Sequence, residues 1–218
     1  MTPSSTGAPQ GLRERKKLQT RQNISDTATR LFLERGYDTV TIAEIAVAAE
    51  VAKMTVTNYF PRKEDLVLDI RDAFVAGPAD TVRERQPGES ALAALRRAYL
   101  AGATAKDAVL AGFSGPDFVA LITGSPALVA RMREFHEERE RLLATVLAEE
   151  TAAPAEDFTA RVAAALLGGV HRTLFEEVQR RTVARESNEA IAVVLAERVA
   201  AAFEILEPAL GDYAVRAN

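Results

Sequence analysis

The stretch TVTIAEIAVAAEVAKMTVTNYFPRKEDL, Thr39 to Leu66, decides the fold. Thr41 and Glu44 stand three residues apart ahead of an apolar run. That is the spacing of a capping box: the hydroxyl takes the N3 amide and the carboxylate reaches back to the N-cap amide. Val40 and Ile45 occupy the flanking staple positions. A helix therefore starts at Thr41 and ends near Ala49. A second short helix runs from about Lys53 to Phe60, with only Glu50-Val51-Ala52 between them. Ile42, Ile45, Ala46, Val51 and Val56 supply a shared core, so the pair reads as a helix-turn-helix. Such a pair cannot bury its apolar face alone. The flanking segments complete a small bundle: Leu12 to Arg35, with Ile24, Ala28, Leu31 and Phe32 on one face, and Lys63 to Ala76, with Leu66, Val67, Ile70 and Phe74 inward. Gly36 stands where a left-handed C-cap wants glycine.

Outward from this stretch, helical periodicity recurs and strand alternation is almost absent. Gly36, Gly77-Pro78, Gln86-Pro87-Gly88, Gly112 to Pro116, Gly124-Ser125-Pro126 and Pro154 cut the chain into about nine helices, an all-α fold. Residues 1–10 are rich in Pro, Ser, Thr and Gly and read as a disordered tail. At 218 residues and 48% hydrophobic, the chain can bury a core, which excludes global disorder. No apolar run approaches the roughly 18 residues of a membrane span. The first residues lack the apolar region of a secretory signal, so a cytoplasmic protein without membrane partners is expected. The absence of cysteine excludes thiol catalysis, disulfide scaffolds and thiolate metal sites.

The net charge of −4 conceals an asymmetry. Residues 1–70 carry ten Lys/Arg against nine Asp/Glu, whereas the remainder carries seventeen against twenty-two. Arg13, Arg15, Lys16, Lys17 and Arg21 face only Glu14. A basic arm of this kind attracts phosphate, and an acidic remainder limits indiscriminate binding.

The ordered set Ile24-x3-Ala28-x2-Leu31-Phe32-x-Glu34-Arg35-Gly36-Tyr37, Thr39-Val40-Thr41-Ile42-x2-Ile45-Ala46, Val51, and Tyr59-Phe60-x2-Lys63-Glu64-x-Leu66 resembles the N-terminal DNA-binding domain of the TetR family of transcriptional regulators. The resemblance implies a homodimeric, all-helical repressor. A helix-turn-helix domain over 11–62 would bind double-stranded operator DNA. A helical domain over 63–218 would dimerise and hold a small-molecule effector. It also implies a recognition helix from Ala52 to Tyr59. Lys53, Met54, Thr55 and Thr57 would face bases or nearby phosphates, and Asn58, Tyr59 and Lys63 would hold the backbone. Arg21 and Thr41 join the same surface, while Val56 and Phe60 are core. Three positions depart from the family pattern. Glu50 replaces the usual turn glycine, and a left-handed backbone there would cost about 1–2 kcal/mol. Ala52 replaces a capping hydroxyl, worth about 1 kcal/mol. Thr57 replaces a frequent tyrosine.

In the larger domain, 157–180 carries apolar stripes on two sides, and 188–207 carries one. Paired across a two-fold axis, these segments would form a four-helix dimer interface through Val162, Leu166, Gly169, Val170, Ile191, Val194, Leu195 and Phe203. Arg198 interrupts the last stripe and invites an acidic partner. Effector contacts are expected from Tyr99, Phe113, Phe118, Met132, Phe135, His136, His171 and Phe175. The two histidines are the most informative, because an apolar face rarely hosts a polar ring without a partner. Few charges fall on inward faces, so the effector should be mostly apolar. Neither a cofactor nor a metal is expected. The His136-Glu137-Glu138-Arg139 run lacks the second histidine of a zinc-protease helix, and no nucleophile motif accompanies it, so no catalytic residue is assigned.

Overall fold

The computed structural model describes residues 11–217; the tail expected at 1–10 lies outside them. Nine α-helices and one 3-10 turn occur among the described residues. The chain divides into two units, 1–69 and 70–218.

In the first unit, α1 (Leu12–Arg35) packs its face of Ile24, Ala28, Leu31 and Phe32 into the core. The helix α2 (Ile42–Ala48) begins with the expected capping box. The Glu44 amide donates to Thr41 Oγ1 at 3.3 Å, and the Thr41 amide donates to Glu44 Oε2 at 2.8 Å. Arg35 donates to the other carboxylate oxygen at 2.6 Å. Hydrogen bonds from Arg35 and Thr41 hold this carboxyl well below the usual range. The turn into α3 (Lys53–Tyr59) is a Schellman closure: the Val51 amide bonds the Ala46 carbonyl at 2.9 Å and the Glu50 amide bonds Val47 at 3.2 Å. Glu50 takes φ of 56°, the left-handed conformation. Ala52 caps α3 without a side-chain bond.

Three expectations are corrected. Gly36 has φ 86° and ψ 148°, so it is extended rather than helical in hand, a conformation reserved for glycine. The expected helix over 63–76 is a 3-10 turn, Glu64–Leu66, and a separate α4 (Arg71–Arg83). Leu66, Val67 and Leu68 are all buried, and three consecutive residues about 100° apart cannot share one face of an α-helix. The first unit extends to Asp69. The added segment is tied to the rest of the unit: Ser25 Oγ donates to the Leu66 carbonyl at 3.1 Å, Tyr37 OH to Glu64 at 2.9 Å, and Arg21 pairs with Asp69.

The third correction lies in the second unit. Gly77-Pro78 does not end a helix but sits inside α4. Proline removes the amide that would bond the Phe74 carbonyl. That carbonyl instead accepts from the Arg139 guanidinium at 2.9 Å. The remaining helices are α5 (Ala91–Ala105), α6 (Pro116–Gly124), α7 (Pro126–Glu150), α8 (Phe158–Val183) and α9 (Asn188–Leu210). α4 packs on α7, α7 on α8, and α9 on both α5 and α8. The core runs through Leu95, Tyr99, Leu143, Val146, Leu167, Leu174, Val199 and Phe203.

The strained turn yields a stability prediction. Replacing Glu50 with glycine should raise stability by about 1 kcal/mol, because glycine carries no Cβ penalty at positive φ. Urea denaturation followed by circular dichroism measures this; an unchanged or lowered midpoint would contradict it.

Candidate DNA-binding face and effector site

Helix α3 is amphipathic at minimal length. Val56 is fully buried, with Phe60 just beyond the helix, and they anchor one side. Lys53, Met54 and Asn58 are exposed on the other, and Thr55, Thr57 and Tyr59 are half-buried between. Met54 leaves 69% of its surface in solvent, unusual for a large apolar side chain with nothing to pack on. Thr57 donates to the Met54 carbonyl at 3.1 Å, so its hydroxyl has a partner within the helix. Thr41 lies exposed at the α2 N-terminus, its hydroxyl engaged in the capping box.

Two residues assigned to DNA are occupied internally. Arg21 pairs with Asp69, donates to the Tyr59 carbonyl at 3.2 Å and lies 4.6 Å from the centre of the Phe60 ring. Lys63 donates to the Tyr37 carbonyl and sits 4.3 Å over the Tyr37 ring; burial lowers its pKa. Both half-buried side chains thus help clasp the first unit together. The Asn23 amide also donates to the Ala49 carbonyl at 3.1 Å, anchoring the inter-helix turn to α1. No sequence pattern singles out Asn23 or Ser25. Their distinguishing mark is polarity beside the buried stripe of α1.

In the second unit, five of the expected effector residues converge. Tyr99, Phe135, His136, His171 and Phe175 form one ring cluster, centred on Phe74, whose spacing in the sequence marks it only as core. His136 and His171 lie 5.3 Å apart, centre to centre. Phe113 and Met132 are buried elsewhere in the same unit, and Phe118 is half-buried on α6. A pocket of about 10 Å³ adjoins the cluster, bounded by Pro78, Tyr99, His136, Arg139, Gly168 and His171. It has room for no more than a water. Arg139 is 3% exposed and donates to Tyr99 OH at 2.9 Å. Neither ring nitrogen of His171 has a partner among the described residues. Burial, then the nearby Arg139, pushes both histidines down, His136 to about 4.

The expected dimer residues divide. Ile191, Leu195 and Phe203 are at most 3% exposed and face their own chain's core, because that stripe of α9 covers α5 and α8. They are not available to a second copy. Val162 and Leu166 remain 41% and 40% exposed, and Gly169, Val170 and Val194 are half-buried. Together with Ala202, Ile205 and Arg198 on α9, Leu166, Gly169 and Val170 line an apolar groove of about 730 Å³. Ile205, missed in the sequence, is 77% exposed.

Among the described residues, no cluster of three or more His, Cys, Asp or Glu could hold a metal, and no helix is long and apolar enough to cross a membrane.

These features match known proteins. Residues 24–70 match the bacterial regulatory proteins of the tetR family. Over 187 residues the chain is 33% identical to the HTH-type transcriptional regulator TcmR of Streptomyces glaucescens, an alignment covering 81% of each. NalD of Pseudomonas aeruginosa, described as the secondary repressor of the MexAB-OprM multidrug efflux pump, has the same fold. Its TM-score is 0.54 at 19% identity, covering 86% of this chain and 97% of that one. The SmeT–triclosan complex gives 0.55 at 16% identity, over 90% and 94%. The family match at the helix-turn-helix and the relative aligned over four fifths of the chain make this a DNA-binding transcription regulator. The chain belongs to the TetR family.

The buried histidines set a pH dependence. Below their ordinary pKa of 6.5 the unfolded chain takes up protons that the folded state, with His136 at about 4, refuses. Stability is thus held above pH 6.5 and falls toward pH 4. Thermal melts between pH 7 and pH 5.5, where ordinary carboxylates stay ionised, should show a falling Tm that flattens in His136→Gln and His171→Phe. A flat wild-type profile would contradict the assignment.

Proposed function

We propose that the protein is a dimeric repressor that binds a two-fold symmetric operator and is released by a small, mostly apolar effector. The observation that carries this is α3: its inward side is locked by Val56 and Phe60, while Lys53, Met54 and Asn58 project from a surface with nothing else to do. Lys53 supplies charge for phosphate. Asn58 offers an amide for phosphate or a base edge, and Met54 an apolar contact for a thymine methyl. Arg13, Arg15 and Lys16, exposed at the start of α1, add sequence-independent attraction.

The groove on α8 and α9 supports two-fold symmetry. A second copy of the chain would seal Leu166, Val170 and Ile205 from water and set two α3 helices about 34–36 Å apart, one turn of B-DNA. The effector acts by population shift: it favours a state of the second unit in which α4, which follows directly on the DNA-binding unit in the chain, is displaced. Moving such an equilibrium from 1:99 to 99:1 takes about 5.5 kcal/mol of differential affinity. An effector of ordinary size needs at least about 300 Å³, so the pocket must open to receive it.

Two experiments test the reading. Fluorescence anisotropy on the DNA flanking the protein's own gene should show tight, steeply salt-dependent binding. Met54→Ala and Asn58→Ala should each weaken it by about 1–3 kcal/mol. Binding no better than to a random duplex, or variants equal to wild type, would contradict the assigned surface. A Cβ added at Gly169 would meet nothing within 4 Å, so Gly169→Glu is accommodated within one protomer. Light scattering on this variant should report a folded monomer. A persistent dimer would place the interface elsewhere.

A further inference from the structure

We propose that Arg139 is the effector-sensing cation: it receives an ionised oxygen carried on a flat aromatic effector, and in doing so leaves the Phe74 carbonyl that Pro78 has freed. The inference rests on the effector-responsive reading above and names the chemical class of the effector.

Two arginines are buried with different partners. Arg85 is 1% exposed and has a carboxylate, Glu150, at 2.6 Å. Arg139 is 3% exposed and has none within ion-pair reach among the described residues. Its partners are a backbone carbonyl and a phenol, both neutral. An unpaired buried charge is costly, and structures retain one where something else compensates it. Glu140 borders the same pocket, but its carboxylate lies against Gly168.

The neighbouring groups fit the same guest. Tyr99 OH, held by Arg139, can donate its proton to an incoming oxygen. His171 is 2% exposed, lines the pocket and has both ring nitrogens unpartnered, so one N–H is available as a donor. Buried polar nitrogens without partners are rare and call for a ligand or water. The His136 ring lines the pocket beside these donors, and the Phe74 and Phe175 rings pack edge-on behind it, with ring centres 5.1–5.7 Å apart. Rings in tilted and edge-to-face array accept another flat ring. A charge-assisted fork to an ionised oxygen is about twice as strong as a bond between neutral groups. The guanidinium therefore moves toward the guest and off the Phe74 carbonyl. That carbonyl has no amide to fall back on, because residue 78 is proline. α4 must then adjust at the residues just beyond its start, which gives effector capture a mechanical consequence.

Matched pairs test this in the full-length protein. Isothermal titration uses 2-naphthoate against methyl 2-naphthoate for a carboxylate, and 4-hydroxycoumarin, ionised at neutral pH, against 4-methoxycoumarin for an enolate. Release of bound DNA is followed in parallel. At least one ionised member should bind about tenfold or more tightly than its neutral partner and release DNA, and Arg139→Met should erase that ratio. The wild-type comparison requires no variant to fold. Pro78→Ala restores an amide to the Phe74 carbonyl; it should bind the ionised compound as before but release DNA poorly. Neutral members that bind and release equally well would overturn the role of Arg139 while leaving effector control intact. No binding and no release by any of the four would overturn both. Unchanged release by Pro78→Ala would overturn the movement off Phe74.

Discussion

The direction of α3 depends on one tight closure, the Val51 amide on the Ala46 carbonyl across a left-handed Glu50. Four residues, Ala49 to Ala52, cannot reverse the chain between two seven-residue helices in many ways. Helices this short have no independent stability. Their orientation is therefore set by the turn, by the capping box at Thr41 and by α1. That helix works as a spine on its polar side as well as its apolar one. Arg21, Asn23 and Ser25 reach, respectively, the end of α3, the turn after α2 and the 3-10 turn at Leu66. Each takes a backbone carbonyl that has no helical partner of its own, which converts chain ends into fixed points.

The second unit is organised by a different constraint, a guanidinium buried without a counter-charge. Arg139 repairs the hydrogen bond that Pro78 removes from α4, stacks 4.8 Å from the Phe74 ring and holds Tyr99. Three elements, α4, α5 and α7, thus meet at one side chain. The His136 and His171 rings beside it are kept neutral by burial and by this positive charge. The interior is consequently apolar in composition but not in electrostatics, which qualifies the expectation of an effector recognised by apolar contact alone.

What the sequence showed clearly was whatever rests on local pattern. The capping box, the short helix pair, and the breaks at Pro87-Gly88 and Gly124-Ser125-Pro126 all follow from spacing and residue type. The misreadings have physical causes. Gly77-Pro78 looks like a break because the partner that rescues it, Arg139, is distant in sequence. The α9 stripe looks like an interface because periodicity identifies a buried face without saying whether its own chain or another buries it. Arg21 and Lys63, expected at DNA from their charge, also bond carbonyls and rings within the first unit, a role that charge alone does not show. Glu50 shows the converse: the turn keeps its left-handed form despite the conformational cost at that residue, since the surrounding core over-determines it.

The central claim is that two copies of α3 read DNA together. Selection of bound duplexes from a random pool by the purified full-length protein tests it without assuming any site. The account predicts enrichment of a two-fold symmetric sequence whose half-site centres lie about 10 base pairs apart, or a multiple of that. An asymmetric single site, or no enrichment over the starting pool, would contradict it.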